Sequence, residues 1–172
     1  MTLADAVALI KNNHLKYTIQ PQQWADLGCG DGLFCKALLQ LLPAGSVIHA
    51  ADMQSQSFSD PNIQFHLLDF VKDDLPFKNL DGIMMANSLH YVKDKEALLL
   101  KLKKHLAPAG SFMIVEYDTT QANRWVPYPL NFLSLQQLFK QAGFNKIGKI
   151  NQRPSVYNTA NMYSAYIYNQ GD

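Results

Sequence analysis

Five apolar runs in this chain end on a polar side chain: Asp26, Asp52, Asp69, Asn87 and Glu116, four of them carboxylates. The first opens the densest cluster, Asp26-Leu27-Gly28-Cys29-Gly30-Asp31-Gly32. Glycines at this density let backbone approach a ligand where a Cβ would collide. A glycine turn ahead of a helix ordinarily invites a phosphate, but Asp26 and Asp31 fence this one. Like charges ~4 Å apart repel by ~4 kcal/mol at an effective dielectric near 20. The same acids attract an ammonium or a sulfonium. The dinucleotide pattern G-x-G-x-x-G needs glycine at its sixth place, where Leu33 stands. An NAD-dependent oxidoreductase, a lesser alternative on such a fold, is disfavoured on both counts.

The downstream acids complete the ligand. Asp52, with Met53 beside it, follows the second apolar run, where a carboxylate can accept both hydroxyls of a ribose. Asp69 adjoins Phe70, a pair able to accept from an adenine amino group and pack on its ring. Ammonium, sulfonium, ribose and adenine without phosphate describe S-adenosylmethionine. Its expected contacts are Asp26, Gly28, Cys29, Gly30, Gly32, Asp52, Met53, Asp69, Phe70 and Asn87. His90 and Glu116 are the candidate bases for an acceptor that must lose a proton. Tyr91, Tyr117, Arg124 and Trp125 are candidate acceptor contacts. The histidines form no ligand pair with cysteines or acids, so no metal site is expected.

Those side chains need a scaffold that brings strand ends together. Leu3, Ala6, Val7 and Ile10 repeat at helical spacing, predicting a helix over 3–12, with a linker to Gln22. Strands are predicted over Trp24–Leu27, Val47–Ala51, Ile63–Leu68, Gly82–Ala86 and Ser111–Val115. Helices are predicted from about Leu33, over Lys95–Leu106, and after a capping box of Ser134 with Gln137. Two late strands, Lys146–Asn151 and Met162–Tyr168, follow. This alternation predicts an α/β, doubly wound parallel sheet. Ligands bind beyond the carboxyl ends of such strands, where the five polar residues fall. Two motifs are discounted. Gly143 to Lys149 fits G-x-x-x-x-G-K but runs from a helix end into a strand. Lys101, Lys103, Lys104 and His105 read as a solvated helix face.

The 172 residues suggest one domain over 1–172, with residues 1–22 as a thin lid. A net charge of +1 gives no reason to expect a nucleic-acid partner. No run approaches the ~18 apolar residues of a membrane span, and the first residues lack the features of a signal peptide. Cys29 and Cys35, the only cysteines, read as reduced thiols of a cytoplasmic protein.

The acid before Leu27-Gly28-Cys29-Gly30-Asp31-Gly32, the acids Asp52 and Asp69, and Leu80 to Asn87 followed by His90 resemble the class I S-adenosylmethionine-dependent methyltransferases of the small-molecule kinds called type 11 and type 25. Leu106 to Ser111 resembles that family's turn before the fifth strand, with Ala109 where glycine is usual. The resemblance implies a Rossmann-like sheet of about seven strands, mostly parallel, with the last antiparallel and inserted beside the sixth. It implies methyl transfer to a small or medium-sized acceptor. The thin lid leaves room for a second copy or a partner chain over the open site. It also keeps open a second class of function, a cofactor-binding partner subunit without catalysis of its own.

Overall fold

A computed structural model describes residues 1–155 and 160–170. Its centre is one seven-stranded sheet: β1 (Gln23–Leu27), β2 (Val47–Asp52), β3 (Ile63–Leu67), β4 (Leu80–Ala86), β5 (Leu106–Tyr117), β6 (Lys146–Pro154) and β7 (Asn161–Tyr168). The spatial order is β3-β2-β1-β4-β5-β7-β6. The pairs from β3 through β5 are parallel, and β7 lies antiparallel between β5 and β6. This is the expected Rossmann-like α/β sheet with its inserted last strand. The order reverses between β1 and β4, so the segments leaving those strands diverge and open a crevice.

Period-two alternation distributes the core. Trp24 and Met84 face one side, packed with Ala6 and Leu9 of α1 (Leu3–Ile10) and Cys35 and Leu38 of α3 (Leu33–Leu39). Ala25, Leu27, Ile83 and Met85 face the other, against α4 (Lys95–Lys103) and α5 (Phe132–Gln141). Both faces of β1 and β4 are therefore covered, which is why these strands are nearly continuous apolar runs.

Several boundaries differ from expectation for local reasons. The first helix stops at Ile10 because Lys11 is extended and Asn12 caps a one-turn helix, α2 (Asn13–Lys16), accepting from the N–H groups of His14 and Leu15. The helix α4 ends at Lys103, so His105 lies beyond it. Pro108-Ala109-Gly110 is not a turn ahead of β5. It sits inside the strand as an irregularity, where pairing jumps from Leu80–Leu106 to Gly82–Ser111. The cap of α5 is Asn131, accepting from Ser134 N–H at 2.9 Å, rather than Ser134 itself. Asp118 Oδ1 takes the neighbouring Phe132 N–H at 2.9 Å and holds the helix start in that register. The basic stretch at the end of α4 is not simply solvated. Lys101 Nζ donates to the carbonyls of Phe70, Val71 and Asp73, and Lys103 Nζ to that of Ala142.

The N-terminal helix, read from the sequence as part of a thin lid, is bonded to the sheet. Asn151 Nδ2 and Ser164 Oγ donate to its carbonyls of Ala8 and Leu9, and Asp5 pairs with Arg153 at 3.2 Å. These contacts fasten α1 to β6 and β7.

Gly82 is where Trp24 needs space, since a Cβ there would overlap the indole ring. Gly82→Ala is expected to destabilise the fold by about 1–3 kcal/mol through overpacking, with a matching drop in the midpoint of chemical unfolding. Unchanged stability would show that Trp24 repacks freely.

Candidate active site

Two cavities open at the carboxyl ends of the central strands. One, of about 610 Å³, is bordered by Gly28 of the glycine turn, by Asp52 and Met53 after β2, and by Asp69 and Phe70 after β3. The other, of about 570 Å³, lies under the segment after β5 and is bordered by His90, Tyr117, Trp125 and Val126. Asn87 and Tyr91 line both, so the two spaces adjoin across them.

The glycine turn is folded by its own strand neighbours. The N–H groups of Gly28 and Cys29 both donate to the Ala51 carbonyl, at 2.8 and 3.1 Å. All three glycines take positive φ, between 51° and 78°, which side chains rarely adopt. Their neighbours differ. A Cβ on Gly28 would meet the Ser88 Cβ at 2.5 Å, and one on Gly32 would overlap the Phe58 ring. Only at Gly30 is there open space. Two of the three glycines therefore make room for protein side chains. Of the expected turn contacts only Gly28 borders the cavity; Cys29, Gly30 and Gly32 do not.

The fencing acids have diverged. Asp31 is exposed, and its Oδ1 accepts from Leu33 N–H at 3.2 Å at the start of α3. Asp26 is buried, and its Oδ2 accepts from the Cys35 thiol at 3.1 Å. Its Oδ1 has no protein partner. Burial, opposed by the thiol and reinforced by the charge of Asp52, raises the Asp26 carboxyl to about 7. The Cys29 side chain, then burial and the Asp26 carboxylate, raise the Cys35 thiol well above its usual value. Both cysteines are buried, free thiols.

Asp52 ties the turn to β2, its Oδ2 accepting from Gly30 N–H at 3.0 Å and its Oδ1 from Gln54 N–H at 2.9 Å. Asp69 accepts from the N–H groups of Val71 and Lys72 and pairs with the Lys72 ammonium at 2.9 Å. These bonds, led by that of Lys72, lower its carboxyl pKa. The three carbonyls that Lys101 clasps hold the Phe70 loop in place.

In the second cavity the two candidate bases meet. Glu116, fully buried at the end of β5, accepts from the His90 N–H at 3.0 Å and contacts His90 Nδ1 at 2.7 Å. Both carboxylate oxygens serve the same residue. Glu116, read from the sequence as a candidate base or acceptor contact, therefore lies behind His90 and does not line this cavity. Where the Glu116 oxygen accepts, the hydrogen of this contact sits on His90 Nδ1, and in that neutral tautomer Nε2 keeps the lone pair. Beside it, Asn87 takes a left-handed φ of 55°, and its buried Oδ1 has no protein partner.

The segment after β5 forms a strap over this cavity. Asn123 and Val126 exchange backbone hydrogen bonds, and Asn123 Oδ1 accepts from the N–H groups of Trp125 and Val126. Tyr128 N–H donates to the His90 carbonyl at 3.0 Å. Of its two candidate acceptor contacts, Trp125 lines the cavity but Arg124 does not. The Arg124 guanidinium lies over the Trp125 ring, 5.0 Å from its centroid. Asn123 and Val126 are lining residues that sequence reasoning missed, because nothing in their types marks them. Among the described residues no cluster suited to a metal ion exists, and no helix is long and apolar enough to cross a membrane.

The sequence model of the family described as a methyltransferase domain matches residues 3–149. An uncharacterized methyltransferase of Mycobacterium tuberculosis is 26% identical over 101 residues, 55% of this chain and 50% of that protein. The chain thus aligns with about half the length of the curated relatives it matches. Among solved structures, the Burkholderia thailandensis 1,6-didemethyltoxoflavin-N1-methyltransferase, bound to 1,6-didemethyltoxoflavin and S-adenosylhomocysteine, superposes with a TM-score of 0.72 at 18% identity, covering 98% of this chain and 78% of that one. The Haemonchus contortus phosphoethanolamine N-methyltransferase 2, in complex with S-adenosyl-L-methionine, gives 0.77 at 12% identity, covering 98% and 53%. At such identities the likeness is one of fold.

The raised Asp26 carboxyl makes a prediction for stability. A group whose folded pKa exceeds its unfolded value of 3.8 stabilises fully below that value and loses the contribution as pH rises through about 7. The cofactor-free Asp26→Asn variant should therefore gain on the wild type between those pH values, by at most about 1.4 kcal/mol per pH unit, and hold a constant advantage above them. Thermal unfolding across that range measures this; a pH-independent difference would show that Asp26 ionises normally.

Proposed function

The chain belongs to the methyltransferase domain family, and on that premise we propose that it transfers a methyl group from S-adenosylmethionine to a small or medium-sized acceptor. The observation that carries this reading is the pair of adjoining cavities that share Asn87 and Tyr91. One has the polar groups of a nucleoside site, and the other a histidine held by a carboxylate.

The residues fit the donor. Asp52 offers carboxylate lone pairs beside the turn for ribose hydroxyls, and Asp69 with Phe70 suits the adenine. Met53 adds apolar wall, and Gly28 gives backbone approach at the cavity edge. Asp26 places a buried, half-partnered carboxylate under the turn, an electrostatic complement to a cation rather than to a phosphate. Cys29, Gly30 and Gly32 act on the donor by shaping that turn. S-adenosylmethionine supplies a methyl group already activated on a sulfonium.

The protein's contribution to the reaction is placement and proton removal. Asn87 and Tyr91, common to both cavities, align the acceptor with the donor, and holding two reactants in line is worth an effective molarity of ~10⁵ M or more in ideal cases. The acceptor atom forms its bond to the methyl carbon as the carbon–sulfur bond breaks and its electron pair passes to sulfur. The acceptor's proton passes to His90 Nε2. Glu116 is the positioning residue: it fixes the ring and its tautomer and stabilises the imidazolium that results. Tyr117 and Trp125, which line the same cavity as His90, hold the acceptor. Arg124 acts only through Trp125.

Titration calorimetry tests the donor. S-adenosylmethionine and S-adenosylhomocysteine should bind and NAD should not; the reverse result ends the proposal. Asp52→Ala should weaken the donor by about 1–3 kcal/mol, the cost of unpaired hydroxyl partners. With a turned-over acceptor, His90→Ala should lower kcat by about 10²–10⁴ with donor affinity unchanged. Glu116→Gln should lower it less and shift the pH profile of kcat. Full activity in His90→Ala would remove His90 from the reaction.

A further inference from the structure

We infer that the acceptor cavity is built for an uncharged, planar aromatic or heteroaromatic molecule bearing an O–H or N–H, an assignment that rests on the methyl-transfer reading above. Its walls are the rings of Tyr91, Tyr117 and Trp125 with the side chain of Val126. Its polar groups are neutral or basic: Asn87, Asn123 and the His90 ring. Among the described residues, no Asp, Glu, Lys or Arg lines it.

Three charges of neighbouring segments are engaged elsewhere. Glu116 gives both oxygens to His90. Arg124 lies over the Trp125 ring. Lys95 donates to the Val92 carbonyl at 2.7 Å and sits 5.5 Å from the centre of the Tyr128 ring. A phosphate or carboxylate entering this space would lose water against aromatic faces and gain no counter-ion, which is strongly unfavourable. An ammonium would find rings able to attract it, but no carboxylate lines the cavity to pair with it, so it too would lose water without a counter-ion. A neutral ring system meets neither penalty.

The polar groups also specify a hydrogen-bond donor. The reaction itself calls for it: His90 lines the cavity as the proton acceptor, so the bound molecule presents an O–H or N–H to that ring. Trp125 provides the ring contact: it lines the cavity yet is 68% exposed, so a flat molecule beneath it would bury apolar surface that is now wet. A volume of about 570 Å³ admits a molecule of two or three fused rings.

One ring system in three charge states tests this: 2-naphthol, 2-naphthoate and 2-naphthylmethylamine, titrated at neutral pH into the protein both free and saturated with S-adenosylhomocysteine. Naphthol should bind at least about tenfold more tightly than either ion. Trp125→Ala should weaken naphthol at least about tenfold with S-adenosylhomocysteine affinity unchanged, and Trp125→Phe should restore most of the loss. Equal or tighter binding of the carboxylate or the amine overturns the inference, as does absent naphthol binding or binding indifferent to Trp125→Ala. Failure of S-adenosylhomocysteine to bind, read in its own titration, counts against the donor assignment alone, because the ring preference is measured in the free protein as well.

Discussion

The crevice depends on one buried carboxylate. Glu116 leaves the end of β5 with no solvent contact and commits both oxygens to His90, one to its backbone and one to its ring. Losing either partner would strand a buried charge, an outcome far costlier than any surface contact could offset. The segment after β4 is therefore pinned to the end of β5. Asn87, with its left-handed backbone, and Tyr91 are carried along with it. The strap adds itself to the same point through Tyr128 and the His90 carbonyl. The wall between two cavities and the roof over one of them thus hang on a single ion-dipole arrangement.

The donor side is organised differently. There the backbone of the glycine turn is set by the Ala51 carbonyl, by Asp52 at Gly30 and by the packing of Ser88 and Phe58 beneath Gly28 and Gly32. Ser88 itself donates to the Leu27 carbonyl at 2.6 Å, closing β1 against β4. The loop after β3 is held by Lys101, whose ammonium gathers three of its carbonyls. Lys101 does not line the cavity, but Phe70 and Val71, whose carbonyls it holds, do.

The sheet was legible because buried parallel strands write themselves as apolar runs, and each run ended on the polar residue that the crevice uses. The glycine turn was legible for its positive φ, but not for what filled the missing Cβ positions. Ser88 and Phe58 come from distant segments, and no local pattern announces them. The Glu116–His90 pair was visible only as two separate candidates, since its members lie 26 residues apart and meet through strand adjacency. Ser134 and Asn131 are both good caps for α5; the choice was made by Asp118, which bonds Phe132 from another element. Arg124, a candidate acceptor contact by type, covers the ring of its neighbour Trp125 and does not line the cavity, a placement its type alone does not reveal.

The strap that bears Asn123, Trp125 and Val126 has one further consequence. It lines only the cavity that holds His90, and the cavity beside the glycine turn is built wholly from other segments, with Asn87 and Tyr91 as the common border. The three strap side chains can therefore change one by one while the lining beside the glycine turn stays as it is.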